Sequence, residues 1–389
     1  MEEWKSYKLG DISTIQTGPF GSQLHQSDYV ESGVPCIMPT NIGRMLDFQV
    51  AGIAHISEGD ALKLSRHIVH EGDIVYSRRG DIEKCAYVSQ EQDGWFCGTG
   101  CLKITINSNL AVPKFVAYYL STDEIKSWIV GNAVGTTMLN LNTSVLADVP
   151  LSLPSIQMQK RCVQILDSIE NIIALNDRIN HNLEEQAQAL YKSWFVDFEP
   201  FKGGKFVDSE LGMIPEGWHV GTLSELLEVR YGKDHKALKD GSTPVFGSGG
   251  LMRYAERALY NGESVLIPRK GTLNNVMYFN GPFWTVDTMF YTVERSSNVI
   301  KYCHLFLLTQ DLASMNAGSA VPSMTTDILN NLPLLIPSSQ VLEAFNRVLS
   351  SIYEARSQRE EESNSLSQSR DTILPQLMSG ALTNTLLTC

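Results

Sequence analysis

The chain carries the segment DVPLSLPSIQ at residues 148–157, and a related segment, NLPLLIPSSQ, follows at 331–340. Each predicts a short apolar strand, a turn and the start of a helix. The prolines fix φ near the first helical turn, and the serines can cap exposed N–H groups, at Pro154 and Ser155 in one copy and at Pro337 and Ser338 in the other. A strand that leads into a helix is therefore present twice.

The repeat extends through the rest of the chain. At the offset that separates Pro154 from Pro337, here called the repeat offset, Gly135 matches Gly318, Leu146 matches Leu329, Leu166 matches Leu349, and Ile169 matches Ile352. Earlier in each copy, at other offsets, Trp4, Leu9 and Ile12 match Trp218, Leu223 and Leu226, and GDIVYSRRG at 72–80 resembles GESVLIPRKG at 262–271. Between the tryptophan and the helix-starting proline the first copy is the longer one. The whole unit is therefore duplicated. The two copies share the strand-to-helix segment, and each carries a globular domain of its own shape, here called a head.

Residues 156–197 carry the clearest periodicity. Apolar or amide side chains recur there at alternating steps of four and three residues, at Ile165, Ile169, Ile172, Asn176, Ile179, Leu183, Gln186 and Leu190. This heptad spacing predicts a helix of roughly 60 Å, whose apolar seam needs a second long helix to cover it. Residues 338–379 supply one, with a weaker seam that is interrupted by Arg359 and Glu362 and contains Val348, Ile352, Ala355, Leu366 and Ile373.

Chain order predicts the direction of this helix pair. The first helix leaves the first head, and a linker of about twenty residues (EPFKGGKFVDSELGMIPEGW) then begins the second head. The second helix has only the first head to run back toward, so we expect an antiparallel pair in which Asn176 and Gln186 fix the register. Two unrelated surface helices are the alternative.

The predicted fold class is α+β, with two globular domains separated by two long antiparallel helices, a coiled coil, in a pseudo-two-fold symmetric arrangement. Short β-rich runs such as CLKITIN and MFYTVE alternate with polar turn clusters such as QTGPFGSQ, VGNAVGTTMLN, GSGG and KGTLNN. The predicted boundaries are 1–155 for the first domain, 156–199 for a central helical region, 200–217 for a linker, 218–337 for the second domain and 338–389 for a distal helical region.

The polar loops and the basic residues beside them are candidates for DNA contacts. Arginine reads guanine, asparagine and glutamine read adenine, and serine, threonine and lysine hold phosphates. On these grounds we select Phe20, Ser22, Gln23, Arg78, Arg79 and Thr136 in the first head, and Lys233, Ser248, Arg269, Lys270 and Asn274 in the second. Solvated surface is the ordinary explanation of any one basic pair, but its recurrence in both copies favours binding.

Net charge limits how the chain could hold DNA. With 31 basic and 43 acidic residues the formal charge is −12, and residues 1–155 (11 basic, 17 acidic) and 215–338 (10 basic, 11 acidic) are both net acidic. Counterion release from so few cations is modest, so we expect weak, salt-dependent binding unless a partner adds cationic surface.

Enzyme motifs are missing from the sequence. It has no Asn/Asp-Pro-Pro-aromatic methyltransferase tetrapeptide, no P-loop and no H-E-x-x-H motif, so we expect no catalysis by this chain. The seven cysteines have no disulfide-framework or zinc-ligand spacing, so we expect free thiols and no metal. No apolar run is long enough to span a bilayer and MEEWKSYK does not have the order of a signal peptide, so a soluble cytoplasmic protein is expected.

The architecture and several phrases together resemble the specificity subunit of type I restriction-modification systems. The phrases are SELGMIPEGW at 209–218, WKSYKLGDI at 4–12, QTGPFGSQL, GDIVYSRRG, the Leu-Pro-rich strand before each helix, and the helix ends LYKSWF and ILPQLMSGAL. The resemblance covers essentially the whole chain. The weaker seam of the second helix is the one departure.

This resemblance implies two target-recognition domains that each read one half of a split sequence in double-stranded DNA. It implies that the conserved helical regions dock two methyltransferase subunits and that restriction/translocase subunits complete the complex, with no membrane involved. It implies no cofactor on this chain, since S-adenosylmethionine is carried by the methyltransferase. The residues implied in the coiled coil and partner surface are Ile165, Ile169, Ile172, Asn176, Ile179, Leu183, Leu190, Ile352, Leu366 and Ile373. A coiled-coil adaptor whose two heads bind proteins or other ligands is the alternative function.

Overall fold

The computed structural model describes residues 4–133, 139–316 and 322–382. Its contacts divide the chain into two compact units. Unit 1 consists of Met1–Ala174 with Glu362–Cys389, and unit 2 consists of Leu175–Glu361. Two helices of forty residues each, α6 and α10, contribute one half to each unit.

The described residues of unit 1 form ten strands and the first five α-helices. The strands are β1 Lys5–Lys8, β2 Ser13–Thr17, β3 Tyr29–Val30, β4 Val34–Ile37, β5 Ala54–Ile56, β6 Ile74–Ser77, β7 Cys85–Tyr87, β8 Phe96–Cys97, β9 Cys101–Ile106 and β10 Pro150–Leu153. The helices are α1 Leu9–Ile12, α2 Glu58–Lys63, α3 Pro113–Leu120, α4 Asp123–Asn132 and α5 Thr143–Ala147, and α6 then begins, at Ile156–Phe195. The Ser155 hydroxyl accepts from the Met158 N–H at 3.3 Å, as expected of a helix cap.

Unit 2 repeats this order with fewer elements between its first strand and its last. Its strands are β11 Phe206–Val207, β12 Ile214–Pro215, β13 His219–Thr222, β14 Leu227–Tyr231, β15 Thr243–Gly247, β16 Gly250–Ala255, β17 Tyr260–Pro268, β18 Met277–Thr285, β19 Met289–Glu294 and β20 Pro333–Ile336. Its helices are α7 Leu223–Leu226, α8 Ile300–Leu308, α9 Thr326–Asn330 and finally α10 Ser339–Met378.

The sheets confirm the duplication. The four-stranded sheet of unit 1 has the order β2-β9-β6-β7, and the sheet of unit 2 begins with the corresponding order β14-β19-β17-β18 before adding β15 and β16. The strand that precedes each long helix pairs antiparallel with an early strand of the same unit. In unit 1, β10 pairs with β1, and in unit 2, β20 pairs with β13. Among the described residues, unit 1 alone carries a second four-stranded sheet, β3-β5-β4-β8, and this sheet lies within the longer first copy.

Within each unit the two long helices run in opposite directions. In unit 1 the start of α6 and the end of α10 meet in one core, which contains Met158, Cys162, Leu166, Leu374 and Leu377. In unit 2 the end of α6 and the start of α10 meet in another core, which contains Ala187, Tyr191, Phe195, Leu342 and Phe345. Burial of these apolar faces, and not helix propensity alone, orders helices of this length.

At three positions the buried residue of the seam lies one place after the predicted one. Ile169, Ile179, Leu183 and Leu190 are half-buried, and Asn176 is buried at 5% exposure. Ile172 is 41% exposed and Gln186 and Val348 are also exposed, so these three do not lie in the seam. Leu166, Ala187 and Leu349, each next to a predicted position, are the buried residues. Ile165 and Leu166 are both apolar, so heptad spacing alone does not show which of them is buried in the seam. Packing in the core of unit 1 buries Leu166 fully and Ile165 only in part.

The second helix has a polar stretch at other positions than predicted. Arg356 and Arg370 face the seam, whereas Glu362 is exposed and Arg359 is half-buried. Ile352, Leu366, Ile373 and Ala355 are half-buried beside the seam.

Candidate nucleic-acid interface

In unit 1 a pair of arginines follows the buried strand β6. The Arg78 N–H donates to the Gly100 carbonyl at 2.8 Å, and the Arg78 carbonyl accepts from the Leu141 N–H at 3.0 Å. These two bonds hold the backbone at the end of the strand. The guanidinium carbon of Arg78 lies 5.9 Å from the centroid of the Phe20 ring, and this ring is 54% exposed. An exposed aromatic ring and a cation therefore lie together at the surface.

The loop that carries Phe20 is tied to the same place. A Cβ at Gly18 would overlap the Gly98 carbonyl oxygen, so only glycine permits this approach. The Gln23 side-chain oxygen accepts from the Phe20 N–H at 3.3 Å and from Arg66 Nη2 at 3.4 Å. Ser22 is exposed in the same turn. Arg66 is thereby added to the predicted cluster of Phe20, Ser22, Gln23 and Arg78.

Electrostatics fix the orientation of Arg66. Its Nε donates to His67 Nε2 at 3.0 Å. Burial, and then the positive charge of Arg66, lowers the pKa of His67 to about 4. A neutral imidazole at physiological pH is what allows the ring nitrogen to accept this hydrogen bond.

Arg79 lies at the edge of this cluster. Its side chain is exposed, and its backbone pairs with Asn140 in an isolated bridge. Arg78 Nε and Asn140 Oδ1 are buried atoms without a hydrogen-bond partner among the described residues. Thr136, also predicted to contact DNA, lies outside the described residues.

In unit 2 an arginine and a lysine occupy the same position after β17. The Arg269 N–H donates to the Thr288 carbonyl at 2.8 Å, and the Arg269 carbonyl accepts from the Met324 N–H at 2.8 Å. The guanidinium carbon lies 5.4 Å from the centroid of the Tyr231 ring, which is 52% exposed. Arg269 Nη1 also donates to the Asp287 carbonyl at 3.1 Å, and this bond limits the motion of the side chain.

The basic pairs of the two clusters and their backbone anchors occupy corresponding positions of the repeat. Lys270 pairs with Ser323 as Arg79 pairs with Asn140. Ser323 is related to Asn140, and Met324 to Leu141, by the same repeat offset that relates the two helix starts. The duplication therefore includes the basic pair and its backbone anchors. The aromatic ring comes from different positions in the two copies, since Tyr231 ends β14 whereas Phe20 lies three residues after the end of β2.

The other predicted residues of unit 2 have different environments. Lys233 is exposed, and its carbonyl accepts from Trp284 Nε1 at 2.8 Å. The Ser248 carbonyl accepts from Asn275 Nδ2 at 2.8 Å, and its hydroxyl lies beside Gly271, the neighbour of Lys270.

Asn274 has both ends of its amide engaged. Its Nδ2 donates to Asp311 Oδ1 at 3.1 Å, and its Oδ1 accepts from the Ala313 N–H at 2.8 Å. The amide therefore holds the turn that follows α8. We conclude that Lys233, Ser248, Arg269 and Lys270 share one region, whereas Asn274 has a structural use.

Sequence reasoning does not find the two aromatic partners as a pair. It selects Phe20 but not Tyr231, although Tyr231 immediately precedes the Gly-Lys of the predicted loop. The position of Tyr231 at the end of β14, the counterpart of β2, is the available indication. Arg66 is missed because it reaches Gln23 from a distant part of the chain.

Among residues 4–133, 139–316 and 322–382 no group of three His, Cys, Asp or Glu side chains could hold a metal ion. The cysteines of that same part, six of the seven, are free and buried. None of the described helices is long and apolar enough to cross a membrane.

Comparisons with known proteins identify the class. The family model of the type I restriction modification DNA specificity domain matches twice, at residues 1–185 and 215–364, and the chain belongs to this family. It is 25% identical to the type I restriction enzyme MjaIX specificity subunit of Methanocaldococcus jannaschii, over 98% of this chain and 94% of that protein. It is 21% identical to the HindI specificity subunit of Haemophilus influenzae, over 98% and 100%.

A solved structure has the same fold. The S subunit of a type I restriction-modification system from M. genitalium covers 97% of this chain and 96% of its own, with a TM-score of 0.60 at 16% identity. The predicted resemblance to specificity subunits is confirmed, together with the α+β class and the repeated domains. The relatives give no support to the adaptor alternative.

Proposed function

We propose that each unit reads one half of a split sequence in double-stranded DNA through its aromatic-arginine cluster. The observation that carries the proposal is that one arrangement occurs in both copies: an exposed ring under the first residue of a basic pair, at Phe20 with Arg78 and at Tyr231 with Arg269. A guanidinium held by a ring and by backbone bonds is positioned to donate two hydrogen bonds to a guanine edge or to a phosphate.

The neighbouring residues have complementary chemistry. Arg79 and Lys270 are exposed next to the stacked arginines, where they can neutralise phosphates. Ser22, Gln23, Ser248 and Lys233 supply further donors and acceptors around them. Phosphate contacts set the position on the duplex, while the arginine and amide groups distinguish the bases. All eleven predicted DNA-binding residues stay predictions. Among them, the Asn274 amide is already hydrogen-bonded within unit 2, and Thr136 lies outside the described residues.

The chain itself is proposed to be a recognition subunit without catalysis. Its net charge of −12 gives it little unaided affinity for a polyanion. Two methyltransferase subunits, which would bring S-adenosylmethionine and additional cationic surface, are the proposed partners along the long helices. Restriction/translocase subunits would join them on DNA in the cytoplasm. Ile172, exposed on α6, is available to such a partner.

The proposal is tested by reconstituting the chain with the methyltransferase subunits encoded beside it. Mapping the adenines methylated by this complex on random DNA should give one split motif with a constant unread spacer. Replacing residues 218–337 by the second head of another specificity subunit should change one half of that motif and keep the other. A continuous motif, or a change in both halves, would refute the proposed division of labour.

A further inference from the structure

In each unit an ion pair joins α6 to α10. In unit 1, Arg370 Nη1 lies 2.9 Å from Glu170 Oε1, and both side chains are largely buried. In unit 2, Arg356 Nη2 lies 3.3 Å from Glu184 Oε2. In both units the acid is on α6 and the arginine is on α10. The two helices are therefore distinguished by charge at the positions where they meet.

The repeat itself does not contain these charges twice. The repeat offset puts Ala187 at the place of Arg370 and Tyr353 at the place of Glu170, and both of these counterparts lie in the apolar core of unit 2. By the same offset, Ile173 corresponds to Arg356 and Ser367 corresponds to Glu184. The ion pairs thus break the symmetry of the duplicated helices.

The asymmetry matters because duplicated helices can also pair with copies of themselves. In the register of the present pair, an α6–α6 contact between two chains would place Glu170 opposite Ala187 and Glu184 opposite Ile173. An α10–α10 contact would place Arg370 opposite Tyr353 and Arg356 opposite Ser367. Each acid would then lose its arginine and face an apolar side chain. Each arginine would keep only a carboxylate of its own helix, Asp371 for Arg370 and Glu360 for Arg356. Removing one partner of a partly buried ion pair disfavours such a helix pair. Coiled coils select their partners in the same way.

We propose that Glu170, Glu184, Arg356 and Arg370 select the mixed α6–α10 pair and exclude pairing of like helices with a second copy of this chain. One chain then closes on itself and carries one head of each kind. The consequence for DNA rests on the proposed function. Because each head reads its own half-site, a chain with one head of each kind recognises two different halves of the DNA target.

Exchange of the charges tests the proposal in the full chain. The variant E170R/E184R places arginine on both helices, and R356E/R370E places glutamate on both. Each alone should lose the closed monomer and melt below the wild type. Co-expressed with different tags, the two should form a one-to-one dimer of twice the 43.2 kDa chain mass, measured by light scattering after size exclusion.

The quadruple variant is the control for folding. With E170R, E184R, R356E and R370E in one chain, both ion pairs are restored in reverse, and a folded monomer of 43.2 kDa is expected. Failure of this variant to fold would overturn the proposal, because complementarity alone would then not decide the pairing. The proposal would also be overturned by finding that each double variant is a monomer and melts at the wild-type temperature.

A second variant tests pairing of like helices. E170A/E184I removes both buried acids and makes α6 apolar at both positions, so a twofold increase in mass is expected. The control Q164A/E185I changes exposed residues of the same helix and should leave a monomer. An E170A/E184I chain that stays monomeric at the same concentration contradicts the selection. DNA binding is measured separately, since its loss from a correctly closed monomer bears only on the proposed function.

Discussion

The guanidinium carbon of Arg78 lies 5.9 Å from the centroid of the Phe20 ring, and its backbone is hydrogen-bonded on both sides. At a surface position the contact between a cation and a ring is worth about 0.5–1 kcal/mol, enough to bias an arginine rotamer without sequestering it. Arg269 and Tyr231 repeat the relationship at 5.4 Å. A stacked guanidinium loses less conformational entropy on binding than a free one.

Loss of the exposed basic residue should affect one half-site only. Arg79→Ala in the assembled complex should weaken or relax recognition of the half-site read by unit 1 by about 10-fold, because it removes the proposed phosphate contact, a charge-assisted hydrogen bond worth about 1.5 kcal/mol. Lys270→Ala should do the same for the other half-site and serves as the reciprocal control. Binding to DNA with either half randomised measures both. An equal loss at both half-sites would instead indicate a folding defect.

Asn274 should contribute to stability. Asn274→Ala leaves the Asp311 carboxylate and the Ala313 N–H without their amide partner, so a loss of about 1–2 kcal/mol in the free energy of unfolding is expected. Asn280→Ala, at an exposed position of β18, should be nearly neutral. Urea denaturation compares the two. A variant at position 274 that keeps full stability and loses affinity for one half-site would place Asn274 in the DNA interface after all.

Unit 2 should lose stability in acid because of His304. Its Nδ1 lies 2.7 Å from the Tyr353 hydroxyl, and burial, followed by the charge of Arg356, lowers its pKa to about 3. The unfolded chain binds this proton near pH 6.5, so stability present above that pH is lost as the pH falls toward the folded-state value.

The slope contributed by this one group is at most about 1.4 kcal/mol per pH unit. His304→Gln cannot titrate, so urea denaturation between pH 7 and pH 5 should show a smaller decrease for this variant than for the wild type. Asn280→Ala, which removes no titratable group and is at an exposed position, should keep the wild-type slope. Identical slopes for the variant at position 304 and the wild type would mean that the histidine is already protonated in the folded protein.

The unread spacer should depend on helix length. Both long helices cross from one unit into the other, after Ala174 and after Glu361. A matched insertion of seven residues at both places keeps the seam in phase and adds about 10 Å, so the spacer in the methylation motif should grow by about three base pairs. A four-residue insertion in α6 alone shifts the seam and should lower stability first. An unchanged spacer in the matched variant would argue that the length of the helices does not set the spacer.

Much of the architecture was available from the sequence because duplication is a property of spacing. The offset between Pro154 and Pro337 predicted two strand-to-helix transitions, and both are found, with β10 before α6 and β20 before α10. The basic pairs at Arg78 and Arg269 were predicted from the same repeat, and the backbone anchors at Leu141 and Met324 confirm that they correspond.

The phase of the helix seam needed the tertiary structure. Ile165 and Leu166 are equally apolar, so a heptad can be drawn through either, and only the core of unit 1 selects Leu166. The ring of Tyr231 and the guanidinium of Arg66 join their clusters across long stretches of chain, and spacing carries no information about such contacts.

The amino-acid sequence by itself determined the duplication, the two long helices and the acidic character of the chain, because these follow from local periodicity and composition. Only the tertiary structure decided which face of each helix is buried, which aromatic ring lies under each arginine, and that both interhelical ion pairs join an acid of α6 to an arginine of α10. Those features depend on contacts between side chains that are far apart in the sequence, and such contacts form only when the two cores pack.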